Sequence, residues 1–527
     1  MIDLYIKTII FFIISFVYFF SIVGYGKIIV NKNSNYFEAY LDGTILLLLI
    51  SYSIYVTSGT NEIINIVILF VGLISYFKIY KELKRIKYKY IFYLLLSVFS
   101  VLIISKTHED FNGYHYFSIF EIYNHNLRIG ISNLNGSFYH SSLLALNQST
   151  IVLPYFDFKL VHLPSFFIYF SVLGYFITIL FSNDKKTNEV FYSLLCLLIL
   201  LVKFNRLSEY GYDYISQFIL LIVFHKIYFL SENNKEIIKS IIYFLLCALI
   251  KPTSLLFLPI MIFIIYKKGI SFYKYIPISK YFLIFSILIV IFSSSFFKTG
   301  CIFYPINKTC FSIENISWSE KNRIKQNSEM ISLWAKAYNA QGKTKYEKIE
   351  DRKLFNKDFV WMKYWIEVHF FYKILEFLLI IIGSIILIYV YFKKENNPLK
   401  KNKKDKIILC SLSLLSILFW LNTVPQFRFG FSSIIIFLYL FIDLLFDLSI
   451  KFEKKKFFHI FIFGLVILNV KNISRIQSEF ERIDLYKFKN FPFYNEKIIK
   501  NDYSKIKKKK FFSYRNSGIN FQYLNIN

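Results

Sequence analysis

The sequence predicts an all-α fold, a polytopic transmembrane helical bundle of about 14 spans with two long extracytoplasmic loops containing interfacial helices. Three observations predict it. First, 56% of the 527 residues are hydrophobic and 21% aromatic, and the mean hydropathy is +0.46. A soluble domain does not need so much apolar surface, whereas each spanning helix needs roughly 20 apolar residues. Second, the apolar runs are continuous. The strands of an outer-membrane barrel would alternate apolar and polar positions. Third, basic residues collect in five loops, all of which fall on one side when the runs are counted as crossings, as the positive-inside rule requires.

Taken in order, the apolar runs lie near 4–24, 42–58, 62–79, 90–105, 161–181, 190–203, 212–230, 237–250, 252–266, 280–297, 367–392, 406–423, 429–448 and 457–470. Between 237–250 and 252–266 stands Lys251-Pro252. Proline removes a backbone donor and clashes with the preceding turn, so this pair reads either as two helices or as one kinked helix. "KIYKELKRIKYKY" (78–90), "NDKKTNE" (183–189), "YKKGISFYKYIPISK" (266–280), "KKENNPLKKNKKDK" (393–406) and "KFEKKK" (451–456) are basic, hence cytoplasmic. Loops 59–62, 105–160, 204–212, the turn near 251, 298–366 and 424–428 then fall outside, as does the N-terminus. The apolar stretch that opens the chain is too long for a signal-peptide core and reads as a retained helix. No internal repeat is visible, which weighs against transporters built from inverted repeats.

The formal charge of +29 comes largely from short loops, so its partners are membrane lipid headgroups and cytosol rather than nucleic acid. Cys196, Cys247 and Cys410 lie within apolar runs and read as inert packing residues. Cys301 and Cys310 share one polar outer loop, where a structural disulfide is expected.

The motifs of interest all fall on the outer face. Loop 105–160 begins "HEDFNGYHYF" (108–117), and residues 108–162 hold five of the eight histidines: His108, His115, His125, His140 and His162. Asp110 or Glu109 is a candidate general base or divalent-metal ligand; the rival reading is an interfacial helix cap. The histidine spacings match no compact zinc motif. "NRLSEYGYD" (205–213) offers Arg206, Glu209 and Asp213. These read as a surface ion pair or as a phosphate contact through the planar fork of Arg206. Lys251 interrupts an apolar stretch; it either snorkels or meets an anionic partner. Arg428, in "TVPQFRFGFSS" (423–433), is an interface anchor or a third anion contact. A carboxylate facing several cations at a membrane surface suits a phosphate-bearing lipid headgroup. In glycosyl transfer one group deprotonates the acceptor hydroxyl and another stabilises the leaving phosphate.

The ordered pieces "DFNGYHYFSIFEIYNHNLRIGISNLNGSFYHSS", "SEYGYD", "GCIFYPINKTCF", Trp318 and "PQFRFG", spanning Lys106 to Ser433, resemble a family of little-characterised bacterial polytopic membrane proteins. Those proteins are themselves similar to the C-type (GT-C-like) lipid-linked-sugar glycosyltransferases. The alternation of loops leaves the basic tail, 471–527, extracytoplasmic, and the resemblance implies a GT-C-like transmembrane domain over 1–470. It implies an acidic residue in the first large outer loop as base or metal contact, here Asp110 with Glu109 beside it. It further implies transfer of a polyprenyl-phosphate-linked sugar to a cell-surface glycan or lipid-linked oligosaccharide at the outer side of a bacterial cytoplasmic (inner) membrane. Tyr114 and His115 would contact sugar, and Arg206, Asp213, Lys251 and Arg428 would line the substrate site. No cofactor is required by the sequence; a divalent cation, Mg or Mn, is compatible with such a carboxylate. The alternatives are an O-antigen-type polysaccharide polymerase and a flippase or transporter of a lipid-linked glycan precursor.

Overall fold

The structure is a computed structural model that describes residues 2–26, 29, 35–79, 88–102, 115–133, 138–139, 142–182, 187–203, 212–269, 274–319, 321–394, 403–482, 512–516 and 519–523. The described residues are mostly helical. In order, the helices are α1 (Ile2–Gly26), α2 (Tyr36–Thr57), α3 (Glu62–Ile79), α4 (Tyr88–Ser97), α5 (Phe99–Leu102), α6 (Tyr116–Asn124), α7 (Leu144–Ser149), α8 (Leu163–Leu180), α9 (Thr187–Lys203) and α10 (Tyr212–Phe229). They continue as α11 (Asn234–Ile250), α12 (Leu258–Lys268), α13 (Ile278–Thr299), α14 (Lys321–Ala335), α15 (Arg352–Asn356), α16 (Trp361–Trp365), α17 (Leu375–Tyr391), α18 (Lys403–Thr423), α19 (Phe427–Phe446) and α20 (Lys454–Arg482). A π-helical segment, Ile366–Ile374, joins α16 to α17. Three short strands complete the described residues. Arg128–Ile129 (β1) pairs in parallel with Ile519–Tyr523 (β3), and β3 pairs antiparallel with Phe512–Asn516 (β2).

Among the described residues, eight helices are long and apolar enough to cross a membrane: Tyr5–Gly26, Tyr36–Thr57, Phe158–Leu180, Ile278–Thr299, Trp361–Tyr391, Lys403–Thr423, Phe427–Phe446 and Lys454–Ser474. Length and composition thus support eight crossings where the sequence reading marks about 14. The other six apolar runs are helical too, as α3, α4 with α5, α9, α10, α11 and α12. None of these helices exceeds 18 residues. Three of them are shielded. Along α9, α10 and α11 most side chains are buried against neighbouring helices, polar ones such as Gln217, His225 and Lys239 among them. A helix walled off from lipid can be shorter and more polar than one that meets it. Lys251-Pro252 resolves into two segments, because α11 ends at Ile250 and a 3-10 turn, Pro252–Phe257, leads into α12. The last helix runs on to Arg482, past the boundary expected at 470.

Packing begins with close contact among α1, α2 and α3. A Cβ on Gly24 would collide with the backbone of Gly72, and one on Gly43 with the carbonyl of Ile22. Small residues at a helix crossing let backbones approach in this way. The two ends of the bundle are stitched differently. At the end carrying the basic loops, buried ion pairs dominate. Lys226 bonds Glu38 at 2.6 Å and also meets Glu236, while Lys239 lies 3.2 Å from both Glu38 and Asp42. His225 bridges Glu189 and the Tyr175 hydroxyl, each at 2.8 Å. At the opposite end, main-chain and amide contacts join loops to helices. The Leu127 amide donates to Tyr55, that of Gly130 to Phe297 and that of Leu143 to Leu249. Asn65 donates to the Ser149 and Val152 carbonyls. Glu121 and Arg128 form a buried paired-oxygen ion pair in the same region.

Candidate anion-binding site

The non-basic end gathers three residues from three separate motifs. Asp213 sits in the first turn of α10, where a carboxylate is favoured by the helix dipole. Lys251 follows the last residue of α11 in extended backbone, φ −153° and ψ 120°, the conformation that a following proline enforces. Its side chain therefore leaves the line of α11, and its ammonium lies 2.8 Å from Asp213 Oδ1. Arg428 stands in the first turn of α19, behind Gln426 at the helix N-cap. A cation there opposes the helix dipole. Asp213 offsets that cost, with its Oδ2 3.1 Å from Arg428 Nε.

Burial grades across the trio. The side chains of Asp213, Lys251 and Arg428 are 5%, 11% and 28% exposed. One buried carboxylate thus holds two cations, and of the two the guanidinium is the more exposed. Aromatic rings flank the cations. Phe429 lies 5.7 Å from the Lys251 ammonium and 5.3 Å from the Arg428 guanidinium, and Trp334 lies 5.4 Å from the latter. Such contacts contribute about 0.5–1 kcal/mol when partly exposed.

His115 adjoins the trio. It is buried, and its ring meets that of Tyr212 edge-on at 4.3 Å. The Tyr212 hydroxyl donates to Gln148 Oε1 at 2.7 Å. His115 is also among the groups acting electrostatically on Asp213. So of the expected site residues the structure brings together Asp213, Lys251 and Arg428, with His115 beside them. Asp110, Glu109, Tyr114 and Arg206 lie outside the described residues, as do Glu209 and His108. Lys251 has an ionic partner in place of a snorkelling path, and the partner of Asp213 is remote in sequence.

The segment carrying Arg428 is held by residues that sequence reasoning missed. Trp365 Nε1 donates to the Pro425 carbonyl at 2.7 Å and Trp420 Nε1 to the Gln426 carbonyl at 2.8 Å. The Gln426 side chain donates to the Ala335 carbonyl at 3.2 Å and lies 3.0 Å from His369 Nε2. His369 is presented by the π-helical turn, a feature found often at functional sites. Gln217 accepts bonds from the Ser432 amide and hydroxyl at 3.1 and 2.6 Å, locking α10 to α19 behind Asp213. One signal for this support was available: all five tryptophans fall between Trp318 and Trp420.

The expected disulfide is present, joining Cys301 and Cys310. It packs with Tyr139, Tyr304 and Ile324, and the Tyr139 and Tyr304 rings stack at 5.4 Å. Cys196, Cys247 and Cys410 are free and buried. A cavity of about 70 Å³ lies between this loop and α11, lined among others by Tyr139, Leu249, Pro252, Lys298 and Tyr304.

A divalent cation does not fit the described acid of this site, because two side-chain cations already engage both oxygens of Asp213. Among the described residues, no three His, Cys, Asp or Glu side chains gather as a metal site. Comparison with curated proteins and with solved structures finds no match. The chain belongs to the family described as "Domain of unknown function (DUF8201)", which matches residues 1–435 and so takes in Asp213, Lys251 and Arg428 alike.

Proposed function

We propose that the protein is an integral membrane glycosyltransferase of GT-C-like architecture. It transfers a sugar from a polyprenyl-phosphate donor to a cell-surface glycan or lipid-linked oligosaccharide at the outer side of a bacterial cytoplasmic membrane. About 14 helical crossings would place the basic loops in the cytoplasm and the Asp213 site outside. The observation that carries the reading is the convergence of Lys251 and Arg428 on one buried carboxylate.

In the transfer, an acceptor hydroxyl attacks the anomeric carbon as the bond from that carbon to the phosphate oxygen breaks. The phosphate departs with the electron pair, and the hydroxyl proton passes to a base, Asp110 with Glu109 as the alternative. Arg428 and Lys251 stabilise the departing phosphate, which gains negative charge in the transition state. Asp213 is a positioning residue that holds both cations before the donor arrives. His115 and Tyr114 contact sugar. The test is transfer by purified protein from a panel of polyprenyl-phosphate sugars to a glycan acceptor. Product is expected with the wild type and not with Asp110→Asn or Arg428→Ala. Full activity of both variants refutes the assignment.

The buried ion pairs at the basic end favour a second reading, a flippase of a lipid-linked glycan. A carrier that opens alternately to each side must close two gates, and charged networks stand at both ends of this bundle. Lipid-linked sugar crossing reconstituted vesicles without glycosyl transfer would select it.

A further inference from the structure

A second basic cluster lies at the end of α9. The ammonium of Lys203, in the last turn of α9, is 2.7 Å from Glu376 Oε1 on α17. Lys471 on α20 donates to the Val202 carbonyl at 2.9 Å. Lys203 and Glu376 are the charged groups that act on Lys471. Among the described residues, one carboxylate therefore answers two ammonium groups, leaving one positive charge in excess.

The position of Glu376 is the informative feature. Glu376, Leu379, Gly383, Ile386 and Val390 follow one another at i, i+3, i+7, i+10 and i+14, a single face of α17. That face points away from the bundle: Leu379 is 61% exposed, Ile386 55% and Val390 77%, and the Glu376 side chain is 54% exposed. On α20, Ile462, Val466 and Val470 are likewise exposed, and Gly464 brings that helix onto Leu201 of α9. Helix α9 thus packs between two helices whose outward faces are apolar, and the Lys203–Glu376–Lys471 cluster closes the seam at one end. A carboxylate on an otherwise apolar outward face is costly in lipid unless partnered. Basic pockets between membrane helices are where anionic headgroups bind.

We propose that this seam is a binding site for the phosphodiester of an anionic membrane lipid. The phosphate meets Lys203 and Lys471, and the acyl chains lie along the outward faces of α17 and α20. The excess charge matches one monoanionic phosphodiester, and the exposed apolar faces distinguish a lipid from a soluble anion. The proposal does not depend on the transferase reading.

The test is native mass spectrometry of the full-length protein released from nanodiscs of phosphatidylglycerol or phosphatidylcholine. Wild type is expected to retain phosphatidylglycerol selectively. Lys203→Gln/Lys471→Gln is expected to lose that retention at least tenfold with an unchanged melting temperature. Glu376→Gln removes the competing carboxylate and is expected to increase retention. Free inorganic phosphate at the lipid's concentration is expected not to displace it. Retention unchanged in the double variant, decreased in Glu376→Gln, or abolished by inorganic phosphate each overturns the proposal.

Discussion

Asp213 binds Lys251 at 2.8 Å through one carboxylate oxygen and Arg428 at 3.1 Å through the other, although the three residues begin or end three different helices. A buried carboxylate shared in this way is both a structural hub and a way to hold cations in place. These two roles are separable by substitution. Removing one partner of a buried pair strands the other, whereas replacing all partners with apolar groups removes the desolvation cost as well.

Asp213→Asn is expected to lower stability by about 3–5 kcal/mol, as for other broken buried pairs. The triple replacement Asp213→Leu/Lys251→Met/Arg428→Met is expected to recover most of that stability and none of the activity. Thermal unfolding in detergent, read beside a transfer assay, checks both. Recovery of activity in the triple variant would contradict the proposed role of the cations.

Trp334 is 40% exposed and stands over the Arg428 guanidinium. Trp334→Ala is expected to change stability by less than about 1 kcal/mol. It should reduce kcat/KM several-fold by loosening Arg428. Trp334→Phe keeps a ring over the cation and is expected to restore much of the loss.

The basic end offers a control far from the candidate chemistry. The Lys226 side chain is 2% exposed and serves both Glu38 and Glu236. Lys226→Met is expected to destabilise the protein by about 3–5 kcal/mol while leaving turnover per folded molecule unchanged. Lost turnover in a folded variant would instead favour the flippase reading, in which that end has to open.

Gly43→Leu is expected to separate α1 from α2, because the new side chain would enter the backbone at Ile22. The variant should accumulate poorly and elute as aggregate on size exclusion. Gly383→Leu places the same side chain on the outward face of α17, where nothing lies within contact range, and is expected to behave as wild type.

Thiol counting checks the Cys301–Cys310 bridge. Denatured, unreduced protein is expected to take up three maleimides, at Cys196, Cys247 and Cys410, and five after reduction. Replacing both bridged cysteines with serine opens a loop of nine residues. A closed loop of that size contributes on the order of 2–3 kcal/mol.

The sequence by itself determined that this is a helical membrane protein, where its apolar runs lie, and which charged residues stand at run ends. Those are local properties: continuous hydropathy and an interrupted apolar stretch are visible within twenty residues. It marked Asp213, Lys251 and Arg428 as worth explaining, and it marked the cysteine pair. Tertiary structure decided that Lys251 and Arg428 meet on Asp213, which no spacing along the chain encodes. It decided that Trp365, Trp420 and Gln426 fix the Arg428 turn, and that short helices such as α9 and α10 are walled off by their neighbours. Hydropathy measures each segment against lipid, whereas burial of a charge beside its partner depends on which helices become adjacent. Only the packed bundle settles that.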